Sequence, residues 1–393
     1  MNLFKLIRGL INKASRDTST GQFIAEIDGL RFIAILTVFL FHLSEFVTGK
    51  TGTKLDGDLL ASLLSHGDIG VPLFFIISGF VIALPYAKGH LFGSKIPQLK
   101  KFFIRRLSRL EPPYFINLIV LFLLLPLVTS NKALDLVPNL FASMTYVHNI
   151  VFSKTSSINV VAWSLEVELQ FYILAPFLTC VFKINHLYIR RGIVIGLIVV
   201  FSVINVMLGA DIPPRYGLSL LSQAQYFFTG FLLLDVYLNE WQQNPNKNSV
   251  WDVISVVAWI SIVVILYMGT TAKVLIVIPM FIAYCAAFKG TLSNRFFCQP
   301  PIYTIGGMCY TIYLYHYAII SAFGRVIIKS GAINHMPIWT GIIISSIVLA
   351  PITLLLCTLF FILIEKPCMK RDWYLYMFNR SYVEAVSTNK VRE

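Results

Sequence analysis

The segment IDGLRFIAILTVFLFHL, Ile27 to Leu43, places an arginine and a histidine in a stretch otherwise apolar enough to cross a membrane. Arg31 and His42 lie about three helical turns apart, so one helix face carries both side chains, roughly 16 Å apart along the axis. A charged residue in a span costs about 2.5–3.5 kcal/mol and usually faces a protein interior or a water-filled cavity. Arg31 could instead reach the headgroups from the inner end of the span. Its pairing with His42 favours a shared pocket.

The composition is typical of a polytopic membrane protein. Hydrophobic residues make up 57% of the 393 residues and charged residues only 13%. The 32 basic residues exceed the 19 acidic ones, for a formal charge of +13. No basic run is joined to a soluble nucleic-acid module, so we expect membrane lipids rather than nucleic acid as partners. The predicted location is the cell (inner) membrane, with multiple passes.

Apolar runs predict an all-α fold, a membrane bundle of about ten transmembrane helices. On this topology, 23 Lys and Arg residues lie on the side of the N-terminus and 8 on the other side. This asymmetry predicts that both termini are cytoplasmic. The predicted spans cover residues 29–48, 69–87, 112–129, 161–182, 192–209, 217–238, 250–269, 272–288, 305–324 and 339–364.

Three regions follow from this pattern. Residues 1–28 form a short basic, amphipathic arm that suits the inner membrane surface, residues 29–367 form the transmembrane domain, and residues 368–393 form a cytoplasmic tail. No apolar core precedes about residue 30, so we expect no cleavable signal peptide. None of the six cysteines has the spacing of a zinc site, and we predict neither a metal nor a bound cofactor.

Three further polar groups lie in predicted spans: Glu166 and Glu168 in WSLEVELQFY, and His316 in YTIYLYHY. His42, Glu168 and His316 each fall roughly 9–12 Å from the predicted outer end of their helix. Glu166 and Glu168 are two residues apart, so at most one should face a pocket with His42. A carboxylate near His42 could orient the ring of a general base. Alternatively, each group hydrogen-bonds locally and stabilises helix packing.

A basic cluster, KKFFIRRLSRLEPPYF, precedes the third predicted span. Arg106 and Arg109 share a face if this segment is helical, and with Arg105 they suit a phosphate-bearing ligand on the cytoplasmic side. The alternative is a positive-inside anchor that contacts anionic lipid. Pro112 and Pro113 predict a helix break at the membrane surface.

Two smaller features have simpler interpretations. Gly70, Ser78 and Gly79 in the second span are expected to permit close helix packing, and Ser78 lacks the adjacent base that a nucleophile would need. Asp28 is expected either to cap the first helix or to pair with Arg31. The residues that could also line a pocket are Ser78, Asp28, His316 and Glu166.

Taken together, these motifs resemble the acyltransferase-3 family of integral membrane O-acyltransferases, which acylate sugars of surface glycans. The resemblance covers about residues 24–367: the arginine–histidine pair in IDGLR…FH, GVPLFFIISGF, RRLSR, WSLEVELQFY, YTIYLYH and EKP at the end of the last span. One departure concerns the acids. Where relatives often have two adjacent glutamates, this chain has Glu168 followed by Leu169, with an extra acid at Glu166.

The resemblance implies a function. Such a bundle takes an acyl group from cytoplasmic acyl-CoA, usually acetyl-CoA, and delivers it to a hydroxyl of a surface polysaccharide, lipopolysaccharide or lipid-linked oligosaccharide. By motif, Arg31, His42 and Glu168 would be catalytic, and Arg106 and Arg109 would bind the CoA phosphates. The esterase-like domain fused to some relatives is not seen in this sequence, which implies that transfer is completed in the bundle or by a separate extracytoplasmic partner.

Two alternatives remain open at this level. A proton-coupled transporter of a small anion could also place Arg31, His42 and Glu168 along a path through the membrane. The same enzyme class could also use another donor, such as succinyl-CoA. The acceptor sugar and the acylated hydroxyl leave no pattern in the loops.

Overall fold

The computed structural model describes residues 23–52, 63–129, 132–209, 212–241, 244–269, 271–331 and 336–369. Within these ranges the regular elements are all helical, which confirms the predicted all-α class. Most of the predicted amphipathic arm and nearly all of the predicted tail lie outside the described residues.

Ten helical spans in the described part of the chain are long and apolar enough to cross a membrane, as predicted. We label them α1 to α10 in chain order. They are α1 Ala25–Thr51, α2 Leu63–Phe92, α3 Leu99–Val128, α4 Val160–Lys183, α5 Leu187–Leu208, α6 Pro214–Asn239, α7 Val250–Tyr267, α8 Thr271–Lys289, α9 Cys309–Lys329 and α10 Ile338–Cys368.

The third span differs from its prediction. α3 begins at Leu99 and continues through Pro112 and Pro113, so the predicted break at the prolines is wrong. The hydroxyl of Tyr310 in α9 donates to the carbonyl of Leu110 at 2.7 Å, just before the proline pair. Tertiary packing can supply partners to backbone groups near a proline inside a membrane helix. As a result the basic cluster is part of the spanning helix itself.

The ninth span also begins differently. A separate short helix, Pro300–Gly307, precedes α9, where the sequence predicted one helix from residue 305. In addition, the segment between α3 and α4 contains a helix at Ala133–Met144, and α10 contains a π-helical turn at Phe361–Glu365, near its end. π-turns within helices often occur at functional sites.

Glycines permit a close helix crossing in the interior. The most apolar windows of α2 and α6 are each 61% buried, against 17% for α5 and α7, so α2 and α6 form the centre of the bundle. A Cβ on Gly79 would lie 2.2 Å from the carbonyl oxygen of Phe227, and one on Gly230 would lie 2.2 Å from that of Ile76. The two backbones can therefore touch only because both positions lack a side chain.

α1 lies beside this centre and contacts α2, α9, α10 and the Pro300–Gly307 helix. A Cβ on Gly306 would lie 1.7 Å from the carbonyl oxygen of Asp28. A Cβ on Gly29 would lie 2.3 Å from that of Phe297. These contacts hold the start of α1, and with it Arg31, against the segment that leads into α9.

Replacing Gly230 by alanine should destabilise the protein, because the new Cβ meets backbone that cannot rotate away. We expect a loss of about 1–3 kcal/mol, as for other overpacked cores, and a lower thermal unfolding temperature in detergent. The matched control is Gly196→Ala in α5, where a Cβ meets nothing within 4 Å. Equal unfolding temperatures for the two variants would contradict the close α2–α6 crossing.

Candidate active site

A cavity of about 100 Å³ lies among α1, α2, α3, α4 and α9. Its walls combine apolar residues, most of them from α2, with polar side chains from all five helices. The polar lining comprises Arg31, Ser78, Arg106, Arg109, Ser164, Glu168, Tyr172, Tyr310 and Tyr313, with the thiol of Cys309.

Two of the arginines come from α3. Arg106 and Arg109 share one face of this helix, as the spacing predicted, and both line the cavity. The guanidinium of Arg106 lies over the ring of Tyr172, 5.6 Å from its centroid. Cation–π contact of this kind fixes a guanidinium in a desolvated site without neutralising its charge. Arg106 therefore brings positive charge to the cavity wall.

Arg109 is held by an acid from the last span. Its Nη2 lies 3.9 Å from Oε1 of Glu365, a fully buried residue whose other oxygen accepts a hydrogen bond from Thr311 of α9. Glu365 belongs to the π-helical turn of α10. The three residues connect α3, α9 and α10 beneath the cavity.

The third arginine is fixed within its own helix. Arg31 lines the cavity and forms an ion pair with Asp28, one turn earlier in α1. The alternative role for Asp28, as the helix cap, is wrong: α1 begins at Ala25, so Asp28 already lies inside the helix. It is also buried, which makes Arg31 its natural counter-ion.

Arg105 does not join this group. Its side chain is exposed and is absent from the cavity lining, because it precedes Arg106 by one residue and so points about 100° away around the helix. The prediction that it would accompany Arg106 and Arg109 at a binding site is thus not supported by its position.

Glu168 is the acid that faces the cavity. Its Oε1 accepts hydrogen bonds from Ser78 at 2.7 Å and from Tyr172 at 2.5 Å. Ser78 thus serves as a hydrogen-bond donor between α2 and α4 as well as a small packing residue. One oxygen of the carboxylate thus has two hydrogen-bond donors, and Glu168 shares the cavity lining with the three arginines.

Glu166 points elsewhere, as the two-residue spacing predicted. It is buried and accepts a hydrogen bond from the backbone N–H of Asn149 at 2.8 Å. It is absent from the cavity lining. Its position therefore indicates a role in holding the segment before α4 against the bundle.

His42 is bonded to an acid that the sequence analysis did not name. Its Nδ1 lies 3.1 Å from Oε2 of Glu45, one turn further along α1, and it is absent from the cavity lining. The expected partnership with an acid of α4 is therefore not found, nor is a cavity lined by both Arg31 and His42. Counting from predicted helix ends estimates depth only; helix rotation and tilt decide which side chains meet.

His316 is the residue that lies beside His42. The two imidazole rings are 5.2 Å apart, between centroids, and inclined by 39°. His316 is fully buried, and its Nδ1 lies 3.0 Å from the carbonyl oxygen of Ile312 and 2.8 Å from that of Tyr313. Local hydrogen bonding and a place in a pocket were alternatives for this residue. The structure shows the local hydrogen bonding, and His316 is absent from the cavity lining.

Tyr313 connects the histidines to the cavity. It lines the cavity, and its ring centroid is 5.8 Å from that of His316 one turn later in α9. Its hydroxyl donates to the carbonyl of Val161 at 3.0 Å and lies 2.7 Å from Oγ of Ser164. A single ordered ring thus adjoins both the cavity and the histidine pair.

Two of these acids could have been found from the sequence. Glu45 stands three residues after His42, a spacing at which helical side chains meet. Glu365 is a carboxylate at the end of an apolar span, so a buried cation was to be expected nearby. Which arginine it would meet could not be read from the chain.

The described residues contain no group of three or more His, Cys, Asp or Glu side chains that could hold a metal ion. The arrangement places guanidinium groups at the cavity and two imidazole rings beyond Tyr313. Such a set can bind an anionic ligand and move a proton.

Comparison with known proteins identifies the family. The protein-family model that is described as an acyltransferase domain matches residues 24–365 of this chain. The chain is 27% identical to the peptidoglycan O-acetyltransferase OatA of Listeria monocytogenes, covering 90% of this chain and 57% of the relative. It is 24% identical to the O-acetyltransferase OatA of Staphylococcus aureus, over 91% of this chain and 59% of the relative.

The chain is 25% identical to other Staphylococcus aureus relatives over 76% of its own length, and it spans about half (51%) of theirs. No solved structure matches the chain. The family match extends over nine of the ten spans in full and reaches Glu365 in the last. This protein therefore belongs to the family defined by that membrane acyltransferase domain.

Proposed function

We propose that this protein is a membrane O-acetyltransferase that moves an acetyl group from cytoplasmic acetyl-CoA to a hydroxyl of a cell-envelope glycan. The observation that carries the proposal is the line of groups from the arginine-lined cavity, past Tyr313, to His316 and His42. It supplies an anion-binding end and a proton-accepting end within one bundle. The O-acetyltransferase names of the relatives support the acetyl group, and the name of the Listeria monocytogenes relative supports a glycan acceptor.

The donor end is the arginine cluster. Arg106 and Arg109 lie in the first half of α3, nearer the end of the bundle that we take as cytoplasmic from the distribution of Lys and Arg. Guanidinium groups bind phosphate oxygens through charge-assisted hydrogen bonds. The cavity itself is narrow, so we place the CoA phosphates at its mouth and the pantetheine arm inside it.

His42 is the proposed general base. If the carboxylate of Glu45 accepts the proton of Nδ1, then Nε2 of the neutral ring carries a lone pair. Nε2 removes the proton of the acceptor hydroxyl while its oxygen forms a bond to the thioester carbonyl carbon. The tetrahedral intermediate then expels the CoA thiolate, which takes the proton from His42. Arg31, held by Asp28, supplies positive charge on the side of the donor.

A second route uses the same residues. In it, Nε2 of His42 attacks the thioester carbonyl carbon, becomes acetylated and expels the CoA thiolate. In a second step the acceptor hydroxyl attacks the acetyl carbon, His42 leaves, and the hydroxyl proton passes to the thiolate. Both routes require His42, and neither needs a metal. Succinyl-CoA would use the same phosphate contacts, so comparing donors in one assay is part of the test. The family match favours either route over the transporter alternative.

Replacing His42 by alanine should reduce acetyl transfer by roughly 10²–10⁴-fold, the usual contribution of a general base. The measurement is transfer of label from acetyl-CoA to envelope glycan in membranes, with protein levels matched. Transfer that persists unchanged would refute the role of His42. If the wild-type protein also transfers no label to glycan from any acyl-CoA tested, the proposed function is refuted.

Arg106→Ala should raise the KM for acetyl-CoA by roughly tenfold to a hundredfold, the cost of about one charge-assisted hydrogen bond. Arg109 is better replaced by lysine, since alanine would leave the buried Glu365 without its cation. The control is Lys101→Ala, an exposed cation on the same helix. Should all three variants keep the wild-type KM, α3 would be a lipid anchor rather than a donor site.

Glu45→Gln should lower kcat by about tenfold without changing the KM for acetyl-CoA, because it weakens the orientation of His42 but not the donor contacts. The side chain of Glu45 is 54% exposed, so the substitution should not affect folding. Steady-state kinetics of membranes with matched protein levels will separate the two parameters. A wild-type kcat would show that the bond to Glu45 does not matter for catalysis.

A further inference from the structure

The two ring nitrogens of His316 differ in their hydrogen bonding. Nδ1 faces two backbone carbonyl oxygens, at 2.8 Å and 3.0 Å, and carbonyls can only accept, so Nδ1 carries a proton. In the neutral ring Nε2 is then a hydrogen-bond acceptor. It is buried and has no hydrogen-bond partner among the described residues. The backbone thereby selects one tautomer and leaves its lone pair unused.

Adding a proton to Nε2 of His316 would not satisfy that nitrogen. It would place an imidazolium in a fully buried site where the groups bonded to the ring are two neutral carbonyls. A buried charge without a paired anion is far more costly than a neutral ring. The unmatched group is therefore an acceptor, and its complement is an O–H or N–H donor.

The neighbours of His316 connect it to an exposed side chain. The His42 ring lies beside it, and the Tyr317 ring packs edge-on against His42 at 5.2 Å. His42 is bonded to Glu45, more than half of whose side chain is exposed. The histidine pair thus lies between the buried cavity and an exposed carboxylate at the opposite end from the arginines.

The two substrates of the proposed reaction differ in what they can donate here. The reacting part of acetyl-CoA, a thioester, has a carbonyl oxygen and a sulfur but no hydrogen to donate. A sugar residue carries several hydroxyls, each of which donates one hydrogen bond. An unsatisfied acceptor beside the general base is thus suited to the glycan and not to the donor thioester.

We propose that Nε2 of His316 accepts a hydrogen bond from a hydroxyl of the acceptor sugar, next to the hydroxyl that His42 deprotonates. His316 is then a recognition residue for the acceptor, and the histidine pair selects a sugar with two neighbouring hydroxyls. This inference rests on the proposed acetyltransferase function and adds the acceptor-binding end of the site.

The test compares two amide substitutions, one that keeps the N–H of Nδ1 and one that keeps an acceptor near Nε2. His316→Asn keeps an N–H where Nδ1 stands and so can still bond to the two carbonyls, but it removes the acceptor at Nε2. His316→Gln places its side-chain oxygen near the position of Nε2 and retains an acceptor. His316→Leu, which removes both functions but suits an apolar interior, is the additional variant should the amides fail to insert.

The acceptor probe is a set of oligosaccharides released from the host's own cell envelope by glycosidase digestion. We expect His316→Asn and His316→Leu to raise the KM for these oligosaccharides by roughly threefold to tenfold, the value of one hydrogen bond, and His316→Gln to raise it less. The KM for acetyl-CoA should stay at its wild-type value.

Three results overturn the inference: an unchanged acceptor KM in His316→Asn and His316→Leu, an equal rise in both substrate KM values, or no difference between His316→Asn and His316→Gln. A purely structural role would lower the unfolding temperature and kcat together without singling out the acceptor. If wild-type membranes transfer no label to any oligosaccharide, the proposed function itself fails. If the wild type is active and the His316 variants have the wild-type KM for the acceptor, only the role of His316 is refuted.

Discussion

The structure depends on one constraint: a charged side chain within the hydrocarbon layer must find its counter-charge inside the bundle. Arg31 meets Asp28, Arg109 approaches Glu365, and Arg190 pairs with the buried Asp235. Removing one member of such a pair leaves a buried charge, which costs more than the pair contributes. The pairs of Arg109 and Arg190 each join two helices, whereas the pair of Arg31 lies within α1; of the three arginines, Arg31 and Arg109 line the cavity.

Close packing makes these pairings possible. Gly79 and Gly230 let α2 and α6 touch along their backbones, and Gly306 brings the helix before α9 onto the start of α1. Small residues serve this purpose in membranes, where lipid offers no hydrophobic force to hold helices together. The result is a rigid frame in which Arg31 and the polar residues of α9 face a common space.

The site is polarised along the bundle. Cations and the hydrogen-bonded Glu168 surround the cavity, while two imidazoles and an exposed carboxylate lie beyond Tyr313. An enzyme that joins a soluble anionic donor to a glycan on the other side of a membrane needs two unlike ends of this kind. Tyr313, ordered by two hydrogen-bonding partners, adjoins both and is well placed to separate them.

The sequence by itself determined the fold class, because apolar length identifies a span without reference to neighbours. It also identified which helix face carries Arg106 and Arg109, and that only one of Glu166 and Glu168 could face the site, since these follow from helical periodicity. Periodicity reports rotation and rise within one helix. Only the tertiary structure decided that α3 passes through its prolines, that Glu45 rather than an acid of α4 meets His42, and that an arginine lies opposite the acid of the last span. Those outcomes depend on how neighbouring helices tilt and rotate, which is set by packing between residues far apart in the chain.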